Sequence, residues 1–226
     1  MLAAIALIPS APVLVPALAG AAAAEVADLR AAVLSAAAAL PPRWIAIGAA
    51  GADQVIAASA VGTFAGYGAD VVVALSPDAD GPVTELPLAA LIAGWVRGQL
   101  DAGISAEVRV YAEVGEAAVH RGTALRAELD ASPEPVGVLV VADGANTLTE
   151  SAPGGFDPDS VSAQAALDDA LAAGDTDAVR RDANGAVGRS AYQVLAGLAG
   201  GQPVQAHELY RGAPYGVGYF AGTWLR

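Results

Sequence analysis

Apolar positions along the chain fall into two patterns. Residues 2–8, 44–48, 71–75 and 136–142 are nearly unbroken apolar runs. Runs of that length suit strands covered on both faces, which have no polar side. The run VGVLVVA over 136–142 is the most strand-like and is expected at the centre of a sheet. Residues 104–112 alternate apolar and polar, as a strand does.

Other stretches repeat their apolar residues at helical spacing. Val26, Leu29, Val33 and Leu34 mark a helix over 20–40, stopped by Pro41-Pro42. Leu88, Leu91, Ile92, Trp95 and Val96 mark one over 87–100. Further helices are expected over 116–129, 160–173, 175–186 and 189–198, and closing strands over 204–210 and 217–224. Strands and helices alternate, with loops at 10–16, 49–53 and 143–159. The pattern predicts an α/β fold: one three-layer α/β/α domain over residues 1–226, with a largely parallel or mixed sheet.

Composition narrows the chemistry. Hydrophobic residues make up 55% of the 226 and charged residues 15%, which excludes a disordered chain. Cysteine is absent, so disulfides, thiolate metal sites and thiol catalysis are excluded. All 11 basic residues are arginine, which excludes Schiff-base chemistry and a P-loop lysine. A net charge of −13 speaks against a nucleic-acid partner. The 57 alanines reflect a high-GC coding bias more than a function. The first 24 residues carry no charged side chain, but they lack a basic leader, and Pro9, Pro12 and Pro16 interrupt them. The expectation is a cytoplasmic protein with no membrane segment.

Candidate chemistry belongs in the loops that follow the strands, because open α/β sheets bind ligands at their carboxyl ends. Ser10 follows the first strand without a nucleophile-elbow motif and reads first as a capping or turn residue of a Pro-rich loop. Asp53 follows the second strand and reads as a helix N-cap. Asp143 follows the central strand, where a functional carboxylate and an Asp-Gly turn are both natural. Asp143, Asn146 and Asp157 offer a hard-cation site, although their spacing matches no EF-hand or Walker pattern. His120 is expected to pair with Glu116 one turn earlier. His207 and Glu208 are neighbours on a strand and point to opposite faces. The stretch from Gly212 through Tyr215 to Tyr219 brings backbone close either to a ligand or to another strand.

Several of these segments together resemble the class III extradiol ring-cleavage dioxygenases, the LigB-type and Memo-like superfamily. The chain looks like a degenerate, Ala-rich actinobacterial member. The marks are the stretch Ile8-Pro9-Ser10-Ala11-Pro12-Val13-Leu14-Val15-Pro16, the strand and loop from Trp44, the stretch over 136–158, and Tyr215-Gly216-Val217-Gly218-Tyr219. Active members hold iron with two histidines and a carboxylate and use a further histidine as acid and base. The resemblance puts the first iron-ligand position on Ser10, the second on or near Ala50, the acid–base position on or near Asn146 and the late carboxylate on Glu208. Three of the four chemical positions are therefore missing. The resemblance implies a binding scaffold for a small molecule or a protein, with a mouth around Ser10, Asn146 and Tyr215. No metal or cofactor is expected, and iron only were the family site intact. The rival expectation is an enzyme with a rebuilt carboxylate site using Asp53, Asp143 or Glu208, a dioxygenase-like oxidoreductase or a hydrolase. A homo-oligomer packed through the Ala-rich helices is a third.

Overall fold

The computed structural model describes residues 1–100, 103–201 and 204–225. The first half runs β1 (Leu2–Ile8), α1 (Pro16–Ala19), α2 (Ala27–Ala38), β2 (Arg43–Ala49), β3 (Gln54–Ile56), β4 (Val61–Thr63), β5 (Val72–Ala74), β6 (Val83–Thr84) and α3 (Leu88–Gly98). The second half runs β7 (Ser105–Tyr111), α4 (Glu116–Ala131), β8 (Val136–Val141), α5 (Pro158–Ala173), α6 (Thr176–Asp182), α7 (Arg189–Ala199), β9 (Gln205–Gly212) and β10 (Tyr219–Leu225).

The main sheet has seven strands in the order β3-β7-β2-β8-β1-β10-β9. All six residues of β8 are buried, as a strand with no polar side requires. It pairs in parallel with β1 on one side and β2 on the other, and β7 continues the parallel set beyond β2. The edges are antiparallel: β3 on β7, β10 on β1 and β9 on β10. The sheet is thus mixed, with a parallel centre, and the α/β class holds.

Alternation along each strand divides the core in two. Ile8, Trp44, Ala46, Leu139 and Val141 meet Leu29 and Val33 of α2 and Leu91 and Ile92 of α3. Leu7, Ile45, Ile47, Val138 and Val140 meet Leu125 of α4, Leu167 of α5 and Leu195 of α7. Two helical layers therefore enclose one sheet. Among the described residues no helix is long and apolar enough to cross a membrane.

Three expectations need correction. The run over 71–75 does not join the main sheet. Its residues Val72–Ala74 form β5 of a separate three-stranded sheet, antiparallel to β4, which in turn runs parallel to β6. Both neighbours of β2 are already taken by β7 and β8, and Val73 packs instead beside Gly94 of α3. The helix expected over 20–40 begins only at Ala27. Gly20 turns the chain at φ 54°, a 3₁₀ turn follows, and Arg30 of α2 donates to the carbonyls of Leu14 and Ala23, which ties that separate turn to the side of the helix. The helix expected over 175–186 is the shorter α6, followed by a 3₁₀ turn over Ala183–Gly185.

Helices α4 and α7 cross with backbones in contact. A Cβ on Gly122 would sit 2.0 Å from the Val194 carbonyl oxygen, and one on Gly197 would sit 2.0 Å from that of Val119. Neither neighbour is a flexible side chain, so any methyl must force the helices apart. Gly122→Ala is expected to destabilise the protein by about 1–3 kcal/mol in urea unfolding. Gly98→Ala, in open space, is expected to be neutral or stabilising by up to about 1 kcal/mol. Equal effects would contradict the close crossing.

Candidate functional site

The connections of β1 and β8 leave the sheet in opposite directions. From β1 the chain passes to α2 on one face, and from β8 to α5 on the other. In open α/β sheets the gap between two such strands is where a ligand has access to the carboxyl ends. The residues that emerge there are Ser10, two beyond Ile8, and Asp143, two beyond Val141.

The structure joins them. The Ser10 amide donates to Asp143 Oδ1 at 2.7 Å. The second carboxylate oxygen receives no donor from the described residues. Tyr192, buried on α7, donates its hydroxyl to the Ala142 carbonyl at 3.0 Å, and the Gly188 amide donates to the Asp143 carbonyl at 2.8 Å. Asp143 is therefore fixed from below. Burial raises its pKa from 3.8 to about 7, against the opposing effect of the Ser10 amide. The same carboxyl adds to the burial that raises the phenols of Tyr192 and Tyr219.

A second network shapes the loops beside it. The Gly144 amide donates to the Gly218 carbonyl, and the Gly218 amide to the Ala145 carbonyl, both at 2.8 Å. The Ala145 amide donates to Gln164 Oε1 at 2.7 Å, and Gln164 Nε2 donates to Asp168 Oδ1 at 2.8 Å. A Cβ on Gly144 would sit 2.1 Å from the Gln164 amide group, and one on Gly218 would sit 2.3 Å from it. The two glycines leave room for one buried side-chain amide. Burial also lifts Asp168 to about 6, offset by the Gln164 bond and the charge of Arg211. The glycines near Tyr215 thus serve an approach to another backbone segment.

The other expected residues lie apart. Tyr215 donates its hydroxyl to Glu25 Oε2 at 3.1 Å, at the rim. Asn146 packs against Gly154 within its own loop, and no hydrogen bond among the described residues joins it to Ser10 or Asp143. Ala50 supplies an amide to the Tyr111 carbonyl and no side-chain chemistry. Asp53 caps no helix, because β3 follows it; it accepts from the Ala112 amide and pairs with Arg121 at 3.1 Å. That pair borders a cleft of about 400 Å³ between β3, β7 and α4, whose other guanidinium, Arg109, is engaged by Glu107 and Glu128. Glu116 pairs with Arg180 on α6 instead of with His120, which is exposed on α4. His207 sits mid-strand on edge strand β9 opposite Thr223, and Glu208 pairs there with Arg211. Asp157 caps α5 through the Asp159 amide.

The carboxylates Asp53, Asp143 and Glu208 are therefore on three separate parts of the sheet, and two of them are held by arginine. Among the described residues no three His, Asp or Glu side chains gather in a way that could hold a metal ion. The iron implied by the resemblance does not fit this donor set: Ala50 offers a methyl group, and both histidines lie on outer surfaces. Reasoning from sequence missed Gln164, Tyr192 and Tyr219. Gln164 and Asp168 one turn apart on an otherwise apolar helix face were a legible signal.

No protein-family model and no curated protein matches the chain. A solved structure, the uncharacterized protein JW3007 from Escherichia coli K12, is similar in fold with a TM-score of 0.59 and 13% identity, covering 98% of this chain and 99% of that one. At that identity the likeness concerns architecture alone.

The raised pKa of Asp143 has a definite sign in stability. The folded state keeps this proton to about pH 7, whereas the unfolded chain releases it near pH 3.8. The contribution is full below pH 3.8 and is lost as pH rises through about 7. Asp168 acts in the same sense up to about pH 6. Wild-type stability should therefore fall between about pH 4 and 7 and level off above that, by at most about 1.4 kcal/mol per pH unit from this one group. Asp143→Asn, which still accepts from Ser10, should flatten that limb in urea unfolding followed against pH. An unchanged slope would show that the proton is held elsewhere.

Proposed function

We propose that the protein is a non-catalytic binding scaffold of LigB-like descent, which takes a small molecule where β1 and β8 diverge. The observation that carries this reading is the Asp143 carboxyl. It stands at the switch point of the sheet, with one oxygen held by the Ser10 amide and the other receiving no donor from the described residues. Such a group is poised to receive a hydrogen bond from a ligand. The surrounding side chains support binding more than turnover. Ser10 has no histidine beside it, so it lacks the base a nucleophile needs. No carboxylate or histidine among the described residues figures among the influences on Asp143 that could share acid–base work with it. The full-length likeness in fold supports treating the chain as one such unit.

The test is metal content by inductively coupled plasma mass spectrometry, on protein purified without a histidine tag and after mild chelation. Trace iron, zinc and manganese are expected. Near-stoichiometric metal would overturn the scaffold reading and restore a dioxygenase-like centre, with His207 the first residue to replace.

A further inference from the structure

We infer that the three-stranded sheet docks a short, basic, extended segment of a partner protein along β6 and in the cleft beside it. That cleft is lined by neither Ser10 nor Asp143, so the inference does not depend on what binds at their junction.

The strand edge comes first. Gly62 of β4 has no side chain, and a Cβ there would sit 2.7 Å from Leu86 and 2.8 Å from Leu91. The strand therefore lies directly on the start of α3, which seats one face of the small sheet. Its order is β5-β4-β6, so β6 is an edge. Beyond the pairing with β4, no backbone hydrogen bond among the described residues involves Val83, Thr84 or Glu85. An unpaired edge is a template for an added strand. Pro82 and Pro87 bracket it, so only a few residues can add.

Beside this edge lies a cleft of about 680 Å³, whose walls include Thr63, Tyr67, Val83, Glu85, Leu86 and Leu91. Leu86 and Leu91 are buried and make an apolar floor, while Tyr67 and Val83 expose apolar surface at the wall. The Tyr67 ring is anchored edge-on against buried Phe64, with centroids 6.1 Å apart. The exposed Asp70 accepts from the Thr63 hydroxyl at 2.9 Å, on the same side of the sheet as the cleft wall that Thr63 forms.

Charge then selects the partner. Residues 44–96 contain no arginine, lysine or histidine. Asp70, Asp78, Asp80 and Glu85 are exposed and form no ion pair among the described residues. Arg97 donates to the Ala74 carbonyl at the other edge, β5, and Arg189 heads α7 in the opposite helical layer. An arginine or lysine side chain suits this cleft. Its methylene stem lies on the leucines, and its charge meets the Tyr67 ring and the Glu85 carboxylate. A second copy of this chain would instead bring the same four carboxylates to a shared edge, with repulsion.

The experiment is fluorescence anisotropy of the full chain at low salt with three labelled hexapeptides. One alternates arginine and valine, one arginine and proline, and one glutamate and valine. The arginine–valine peptide is expected to bind, more weakly as salt is raised. The proline peptide keeps the charge and loses N–H donors, and is expected to bind roughly threefold more weakly or worse; the glutamate peptide should not bind. Tyr67→Ala and Glu85→Gln should each weaken the arginine–valine peptide by roughly threefold or more. Asp53→Asn removes the same charge from the other cleft and should leave binding unchanged. Circular dichroism checks that the variants are folded. Absence of binding overturns the inference. So does indifference to Tyr67→Ala, or an equal loss in Asp53→Asn and Glu85→Gln, either of which would mean diffuse attraction to an acidic chain. Equal binding of the proline peptide removes the strand edge from the account and overturns it as well. Sedimentation should show a monomer at the concentrations titrated; a dimer that Tyr67→Ala dissociates would make a second copy the occupant instead.

Discussion

Strand β8 is buried on both faces and on both edges, and the rest of the molecule is arranged around that fact. A strand with no polar side has to be enclosed by two helical layers and two neighbouring strands. Those neighbours, β1 and β2, are nearly as apolar. The first side chain with chemistry after this strand is Asp143, and it emerges at the only kind of place where an open parallel sheet gives a ligand access. The same enclosure that holds the core together therefore desolvates the carboxyl at its end.

Close packing at this end relies on absent side chains as much as present ones. Gly144 and Gly218 leave space for the Gln164 amide, which holds the loop after β8 and in turn is oriented by Asp168. Gly188 lets α7 start directly against Ala142 and Asp143. The Gly-rich turn before β10 is thus built into the framework of the site. It brings Tyr215 to the rim and leaves Tyr219 buried, while Gly216 and Gly218 make room for the side chains of Thr149, Ala152 and Gln164.

The apolar runs made three of the four parallel strands legible, because burial on two faces leaves a pattern that a single sequence shows, and alternation gave the fourth, β7. The sheet to which residues 71–75 belong was not legible, since pairing is decided by which edges remain free. The start of α2 was hidden by alanine, which favours helix everywhere, whereas Arg30 and Gly20 settle it through contacts beyond the local window. At the site, Ser10 and Asp143 each stood out from the sequence, but the 2.7 Å bond between them spans 133 residues. Asp53 and Glu116 looked like local caps and pairs; arginines on distant elements claimed both. Local rules assign a carboxylate to its nearest partner, and this chain has only 11 basic residues for 24 acidic ones, so long-range arginines decide.

Likeness in fold at 13% identity carries the sheet order and says little about the chemistry at its end. What distinguishes that end of the sheet is the choice of residue at position 143. An asparagine at position 143 would accept the same Ser10 amide without the desolvation of a charge. The aspartate raises its own pKa to about 7, and its ionised form weakens the fold near neutral pH. A group held at a loss in stability, at the switch point of the sheet, with one oxygen left open, is what a site that needs charge looks like.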